Sequence, residues 1–431
     1  MNKIYKTVWN KASATFVAAP ELASGRSKST ATVPSSAKDV TSDLAEKSQT
    51  LHPLVQAMAM GFAALTLNVT ASQVFAGTAA NLPIGGVVVS GAASIASTPT
   101  VMTIRETTNQ AAINWQSFGI GQSNTVNILQ PSSNSVLLNR VIGADPSNIY
   151  GSLNANGQVF LVNPNGILFA PGSSVNVGGL VASTLGITDS AFAQGGSTGK
   201  YSFSGSSTQP IATQGNINAD GGYVALLGAK VSNQGTITSR LGSVAMTGGS
   251  AVTLDIAGDS LINVTVDQGA VNALLENGGI IKADGGQVVM TTQAAGQLLN
   301  TVVNNTGLIQ AQTIDTSTGT IRLISDLKYG VTNIKGTLTV DQGKSLKSGF
   351  IEISGSQVKV DSSAIIDTGS AESHGILLID PTDIVISASG GSVTGAYISA
   401  YQGSQLILST SSAIDNGSGN IFINDSFTLE N

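Results

Sequence analysis

With 431 residues, 50 glycines, no cysteine, and only 10% charged and 5% aromatic residues, the chain has room for two ordinary domains or one long array. At 41% hydrophobic it is too apolar to be simply disordered, and its glycine-rich, charge-poor make-up is unusual for a compact enzyme. Residues 1–76 hold seven of the 19 basic and four of the 25 acidic residues, so 77–431 carries 12 basic against 21 acidic. An acidic chain without basic clusters argues against nucleic acid or an anionic membrane as its partner.

The chain opens Met-Asn-Lys-Ile-Tyr-Lys-Thr-Val-Trp-Asn-Lys11 and continues through Phe16 and Pro20 to Arg26. Basic and aromatic residues interleave here, but nothing downstream supports a nucleic-acid contact. The segment instead resembles the extended signal-peptide region of large Gram-negative exoproteins. A polar spacer, 29–49, leads into an uncharged apolar run from Leu54 to Val69. About 16 residues are too few for a spanning helix, which needs roughly 20, yet they suit the apolar core of a secretory signal. Val74-Phe-Ala76 fits the small-residue cleavage rule, so cleavage is expected between Ala76 and Gly77, with 1–76 removed. The absence of cysteine is consistent with a chain that must stay threadable through an oxidising compartment.

From Leu82-Pro-Ile-Gly-Gly86 onward, short apolar runs alternate with turn residues. Ala112-Ile-Asn-Trp115-Gln-Ser-Phe118, Val136-Leu-Leu-Asn139-Arg140-Val141 and Val159-Phe-Leu-Val162 precede Asn163-Pro164-Asn165-Gly166-Ile167. Pro164 sets φ near −65° at the first corner of a turn, and Asn165 and Gly166 tolerate positive φ at the next corners. Val177-Gly-Gly-Leu-Val-Ala-Ser-Thr184 follows. These blocks, in this order, resemble the secretion domain of the filamentous-haemagglutinin family, the exoproteins of two-partner secretion.

The resemblance implies Sec export, passage through a cognate outer-membrane transporter, and folding outside as a secreted or surface-bound adhesin. It also implies a host-cell glycan or protein receptor for the exoprotein. The alternative is the secretion module of a two-partner haemolysin or contact-dependent growth-inhibition toxin. Asn163 to Ile167, with Asn139 and Arg140, are the expected transporter-recognition or coil-nucleating residues; the plainer reading is that the Asn163 turn only shapes the chain. Trp115 and Phe118 read as core or cap residues, and Arg140 as an internal hydrogen-bonding residue. The Gly/Ser-rich stretch 194–199 reads as an exposed loop leaving the stack.

Beyond Gly215 the chain repeats. Gln-Gly215-Asn-Ile, Asn233-Gln-Gly235-Thr-Ile, Asn277-Gly-Gly279-Ile-Ile and Asn305-Thr-Gly307-Leu-Ile share a frame, and Ala219-Asp-Gly-Gly222 recurs as Ala283-Asp-Gly-Gly286. The glycine spacings of 20, 44 and 28 suggest one, two and slightly more than one unit of about 20 to 22 residues. Helical periodicity and a leucine frame are both missing. This predicts an all-β, right-handed parallel β-helix with an N-terminal cap and short extra-helical hairpins or loops. Turn asparagines should stack between coils, and the mature chain has room for roughly 16 coils, or about 75 Å of rod at ~4.8 Å per coil.

The expected division is 77–330 as secretion domain and 331–431 as continuing β-helix. The chain stops at Phe427-Thr-Leu-Glu-Asn431 without a closing element, so a truncated, partial or short family member is expected. No enzyme, metal or cofactor is expected. His374 is the single histidine after residue 76 and has no partner for zinc or nucleophilic chemistry in the sequence. Asp220 and Asp284, in equivalent turns, are the nearest thing to a carboxylate pair, but they read as ordinary turn residues.

Overall fold

In the computed structural model, the described residues are 82–256, 262–296, 301–314, 317–341, 349–369, 375–401, 405–410 and 419–428, with the backbone of 5–10 and 15–20. The expected cleavage pair Ala76–Gly77 and His374 lie outside the described residues. In the N-terminal unit the described residues pair antiparallel, Tyr5–Asn10 with Thr15–Pro20.

The second unit is a parallel β-helix of three faces. Each coil runs through a face-1 strand such as Ser152–Ala155, a face-2 strand such as Gln158–Val162 and a face-3 strand such as Ile167–Phe169. Each strand pairs in parallel with its counterparts in the adjoining coils. Apolar side chains at alternate positions point into the shared interior. Leu153, Val159, Leu161, Ile167 and Phe169 are all fully buried in one continuous core. Burying these five side chains at roughly 1.5–3 kcal/mol each stabilises a single coil appreciably, provided its neighbours are present to cover them.

The first coil is closed by antiparallel strands. Val87–Ser90 pairs with Gln110–Trp115, and Ala93–Ser97 with Val101–Glu106. Gly86 sits here because a Cβ at that position would collide with the Trp115 ring and Ile95. Trp115 and Phe118 meet edge to face, ring centroids 5.6 Å apart, inside this capped end.

Coil length departs from the expected count. Register partners Val159 and Leu180 are 21 residues apart, and Val224 and Val244 are 20. Leu180 and Val224, and again Val244 and Val288, are 44 residues apart yet hydrogen-bonded neighbours. The 44-residue spacing between Gly235 and Gly279 is therefore one coil with an excursion, not two coils: a Cβ on Gly279 would strike the Gly235 carbonyl directly. Among the described residues face 2 accordingly holds 12 strands including the antiparallel Val87–Ser90, about 48 Å of parallel stack at ~4.8 Å per strand rather than 75 Å.

The two excursions form a second layer. The first begins with helix α1, Asp189–Thr198, capped by the Thr188 hydroxyl at its start and by Gly199 at φ 74° at its end. The stretch 194–199 is thus largely helical, not loop, because the cap residues on either side complete a turn that its composition does not advertise. After α1, Lys200–Ser204 pairs antiparallel with Ala251–Asp255, which pairs with Asn263–Gln268. This flap covers the outward side of face 2. Leu138, Phe160, Val181, Ala225 and Ala245 point away from the solenoid and are buried with Phe192, Tyr201, Phe203 and Tyr223 in a second core. No described helix is long and apolar enough to cross a membrane.

The expected asparagine stacking is present. Asn233 Nδ2 donates to Asn277 Oδ1, and Asn277 Nδ2 to Asn305 Oδ1, each at 2.8 Å and buried. Side-chain amides satisfy one another where water cannot reach.

Candidate export-recognition site

Asn163 to Ile167 form the corner between a face-2 and a face-3 strand, and the sequence explains its shape. The Gly166 N–H donates to the Asn163 carbonyl at 3.2 Å, closing a β-turn around Pro164 and Asn165. Only Gly166, at φ 107°, takes a left-handed backbone; Asn165 stays on the negative side, so the expected positive φ there is not needed. The Asn163 Oδ1 accepts from the Asn165 N–H at 2.9 Å and from Asn165 Nδ2 at 3.1 Å, fixing the turn from within.

The corner also grips the coils on either side. Asn163 Nδ2 donates to the Asp145 carbonyl at 2.9 Å and to Ser147 Oγ at 3.0 Å, both in the preceding coil. Asn165 Nδ2 donates to the Gly143 carbonyl at 2.8 Å. In the following coil, the Ser183 carbonyl accepts from the Asn163 N–H at 2.9 Å. Asn163 and Ile167 have no exposure at all; Pro164 is exposed and Asn165 half-buried.

Asn139 and Arg140 lie on the neighbouring strand Val136–Val141, in register with Leu161 and Val162. The structure therefore brings all the expected residues together, but on different sides of the wall. Asn139 points inward and is fully buried, its Oδ1 accepting from Trp115 Nε1 at 3.1 Å. Arg140 points outward beneath the flap. Its Nη1 donates to Asn114 Oδ1 at 3.2 Å, and its Nη2 to the Ile187 carbonyl at 3.0 Å and Asp189 Oδ1 at 2.7 Å. Asp189 is 72% exposed, so solvent screens the ion pair, and the guanidinium acts chiefly as a hydrogen-bonding clip for the start of α1.

Asp220 and Asp284 do not face one another across a site. The coil between them places Arg240 there, whose Nε and N–H each donate to Asp220 at 3.0 Å. The hydrogen bonds from Arg240 hold the Asp220 carboxyl below its ordinary range. Asp284 accepts from Gln310 Nε2 and from the Gln312 N–H. Among the described residues, no group of three or more histidine, cysteine or acidic side chains is arranged to hold a metal ion.

Two features escaped sequence reasoning. One is the flap core, whose signal was available: Val159 to Val162 and Val224 to Leu227 are continuous apolar runs, the mark of strands buried on both faces. The other is Glu106, buried on the inward side of Val101–Glu106 and held by Gln130 Nε2 at 2.9 Å. Burial outweighs that hydrogen bond and pushes its carboxyl up to about 7.

Comparison with known proteins agrees with this geometry. The TPS secretion domain family matches residues 79–340, and the Extended Signal Peptide of Type V secretion system matches residues 1–45. The chain is similar to a Heme/hemopexin-binding protein of Haemophilus influenzae strain Rd, 33% identical over 255 residues, covering 58% of this chain and 28% of that protein. A second Heme/hemopexin-binding protein of Haemophilus influenzae is 29% identical over 299 residues, 62% of this chain and 31% of the relative. The chain thus spans less than a third of the length of these curated relatives. The crystal structure of the HMW1 secretion domain from Haemophilus influenzae, 23% identical, superposes with a TM-score of 0.55 over 79% of this chain and all of that one, showing a shared fold. With an extended signal peptide at its start and a secretion domain over more than half its length, the chain belongs to the TPS secretion domain family, exoproteins exported by Sec and a cognate outer-membrane transporter to the cell surface or beyond.

Proposed function

We propose that the Asn163 corner serves export by closing and locking the early coils, and that its side chains meet the transporter only before the coil has closed. The supporting observation is the burial of Asn163. Its side-chain amide ties the turn to the preceding coil, while its backbone N–H reaches the following one, and the side chain offers nothing to a partner once the wall has formed. Pro164 and the half-exposed Asn165 are what remains outside. The corner is thus a folding determinant first and a recognition sequence only in the extended chain.

Replacing Asn163 and Asn165 with alanine tests this in a strain carrying the cognate transporter. Secretion should fall, and exported protein should be protease-sensitive around residues 143–183. Normal secretion with unaltered protease resistance would overturn the proposal. Lost secretion with unaltered stability of refolded protein would make the asparagines transporter contacts instead.

The exported protein is proposed to work as a non-enzymatic surface adhesin engaging a host glycan or protein. Heme or hemopexin capture is a second reading, favoured by the names of the two curated relatives; retention of the secreted chain on hemin-agarose checks it. A haemolysin or growth-inhibition role finds less support, since neither relative bears such a name.

A further inference from the structure

Coils two to six turn three faces outward, and the three differ sharply. The outward positions of face 2 are buried under the flap, as Leu138, Phe160 and Val181 illustrate. Those of face 3 are buried over the first three of these coils through Asn148, Leu168 and Ala212, whereas in the fourth Lys230 is exposed and Ser232 half-buried. Face 1 is open to solvent over all five coils, and its five strand triplets read Thr-Val-Asn (125–127), Ser-Leu-Asn (152–154), Ser-Val-Asn (174–176), Asn-Ile-Asn (216–218) and Thr-Ile-Thr (236–238). The middle residue of each is buried and the outer two are half-exposed or exposed. Every outer residue carries a hydroxyl or a carboxamide, and none carries a charge. The pattern ends at the next strand, Ile280–Lys282.

The strands register in parallel without a slip. The grid is therefore flat and regular, two columns roughly 7 Å apart with a rise of ~4.8 Å per row, about 19 Å from first row to last. Its amides are held in place: Asn154 Nδ2 donates to Asn127 Oδ1 at 3.1 Å, and Asn176 Nδ2 to Asn154 Oδ1 at 3.3 Å. A carboxamide has two N–H donors and two acceptor lone pairs, so Asn154, in giving one of each to the ladder, keeps one of each for a ligand. Lys282, in register with Thr238, and Arg105, in register with Leu129, bound the grid in the rows beyond its two ends, and Asp220 and Arg240 neutralise one another beyond its edge.

We propose that this face is a binding surface for a neutral, extended oligosaccharide lying along the stack. A sugar chain presents hydroxyls that both donate and accept at intervals close to one coil, which is what fixed, unpaired amide and hydroxyl valences match. An anionic glycan finds no cation within the grid, and an apolar partner finds only Leu129 at one corner of it. The inference rests on the reading that the chain is exported to face a glycan-bearing surface.

The test uses full-length protein collected after secretion, with immobilised cellotetraose, maltotetraose and lacto-N-tetraose as probes and heparin as the charged control. The wild-type chain should be retained by at least one neutral tetrasaccharide and not by heparin. Asn216→Lys with Asn218→Lys, both exposed side chains outside the amide ladder, should weaken retention at least tenfold. The paired control Thr337→Lys with Thr339→Lys, further along face 1, should leave it unchanged. Secretion level and thermal melting should be those of the wild type in both variants, which separates loss of this surface from failure of export. Absence of retention on every neutral probe, or equal loss in both variants, would overturn the proposal. So would a concentration-dependent self-association that the Asn216/Asn218 pair abolishes, since the face would then join copies of the chain.

Discussion

Replacing Asn163 with alanine removes a buried amide whose groups have specific partners. The Asp145 carbonyl and Ser147 Oγ lose a donor, and the Asn165 N–H and side chain lose an acceptor. Each buried hydrogen bond contributes about 1 kcal/mol net, and each polar group left unpaired in the interior costs about 1–3 kcal/mol. Asn165 and the Asp145 carbonyl lie close enough to solvent to recover part of this, leaving a loss of about 3–4 kcal/mol concentrated in the early coils. Pro164→Ala, at an exposed position, should cost under about 1 kcal/mol. Guanidinium titration of secreted protein measures both, and hydrogen exchange locates the loss at residues 143–183. An Asn163→Ala cost below about 1 kcal/mol, or exchange changes no larger there than at Thr301–Asn305, would refute the account of Asn163 as a lock between coils.

Phe160→Ala should cost about 3–5 kcal/mol, because Phe160 has no exposure and packs edge to face on Tyr201 at 4.9 Å; hydrogen exchange should rise in 189–204 and 251–268 while 301–305 keeps its protection. Glu106, with an ordinary carboxyl near 4.5 when unfolded and about 7 when folded, binds its proton more tightly in the native state. Stability is therefore greatest below about pH 4.5 as far as this group is concerned and is lost as pH rises through about 7, by up to about 3 kcal/mol. Glu106→Gln should remove that slope in denaturant titrations between pH 5 and 8, and parallel slopes for the two proteins would contradict it. Gly279→Ala should destabilise by forcing apart the two coils whose glycine carbonyl it meets, readable as a lowered melting temperature. N-terminal sequencing of secreted protein should begin at Gly77; a start at Met1 or far downstream would displace the cleavage site.

How legible the chain was depended on whether a residue's role was local. The Asn-x-Gly frames of 233–235, 277–279 and 305–307 announced both the coil and the amide stack, because turn chemistry acts within a few residues. The corner at Asn163 was legible for the same reason. Coil number was not, because a spacing of 44 residues fits two plain coils as well as one coil with a hairpin, and only the register of Val244 against Val288 decides between them. Nor was the identity of α1, where Gly195, Gly196 and Ser197 are poor helix formers and the Thr188 and Gly199 caps with the Arg140 clip supply what composition lacks. The site's division into inward Asn139 and outward Arg140 follows from strand alternation, but its consequence, a clip under a flap, needed the flap to be seen.

The antiparallel strands before residue 107 seal the N-terminal end of the stack, so the coils have a direction. Were the chain to leave a membrane pore N-terminus first, the sealed end would reach the outside first, and every later coil would be added at the end nearest the pore. The unpaired strand edge, the part of any sheet that invites foreign strands, would then belong to the most recently released coil and be covered by the next. A closed coil is also wider than the thread that made it and cannot slide back. On that order of release the cap at Val87–Ser90 and Ala93–Ser97 would make one-dimensional stacking a ratchet, with the bulk medium meeting only finished wall.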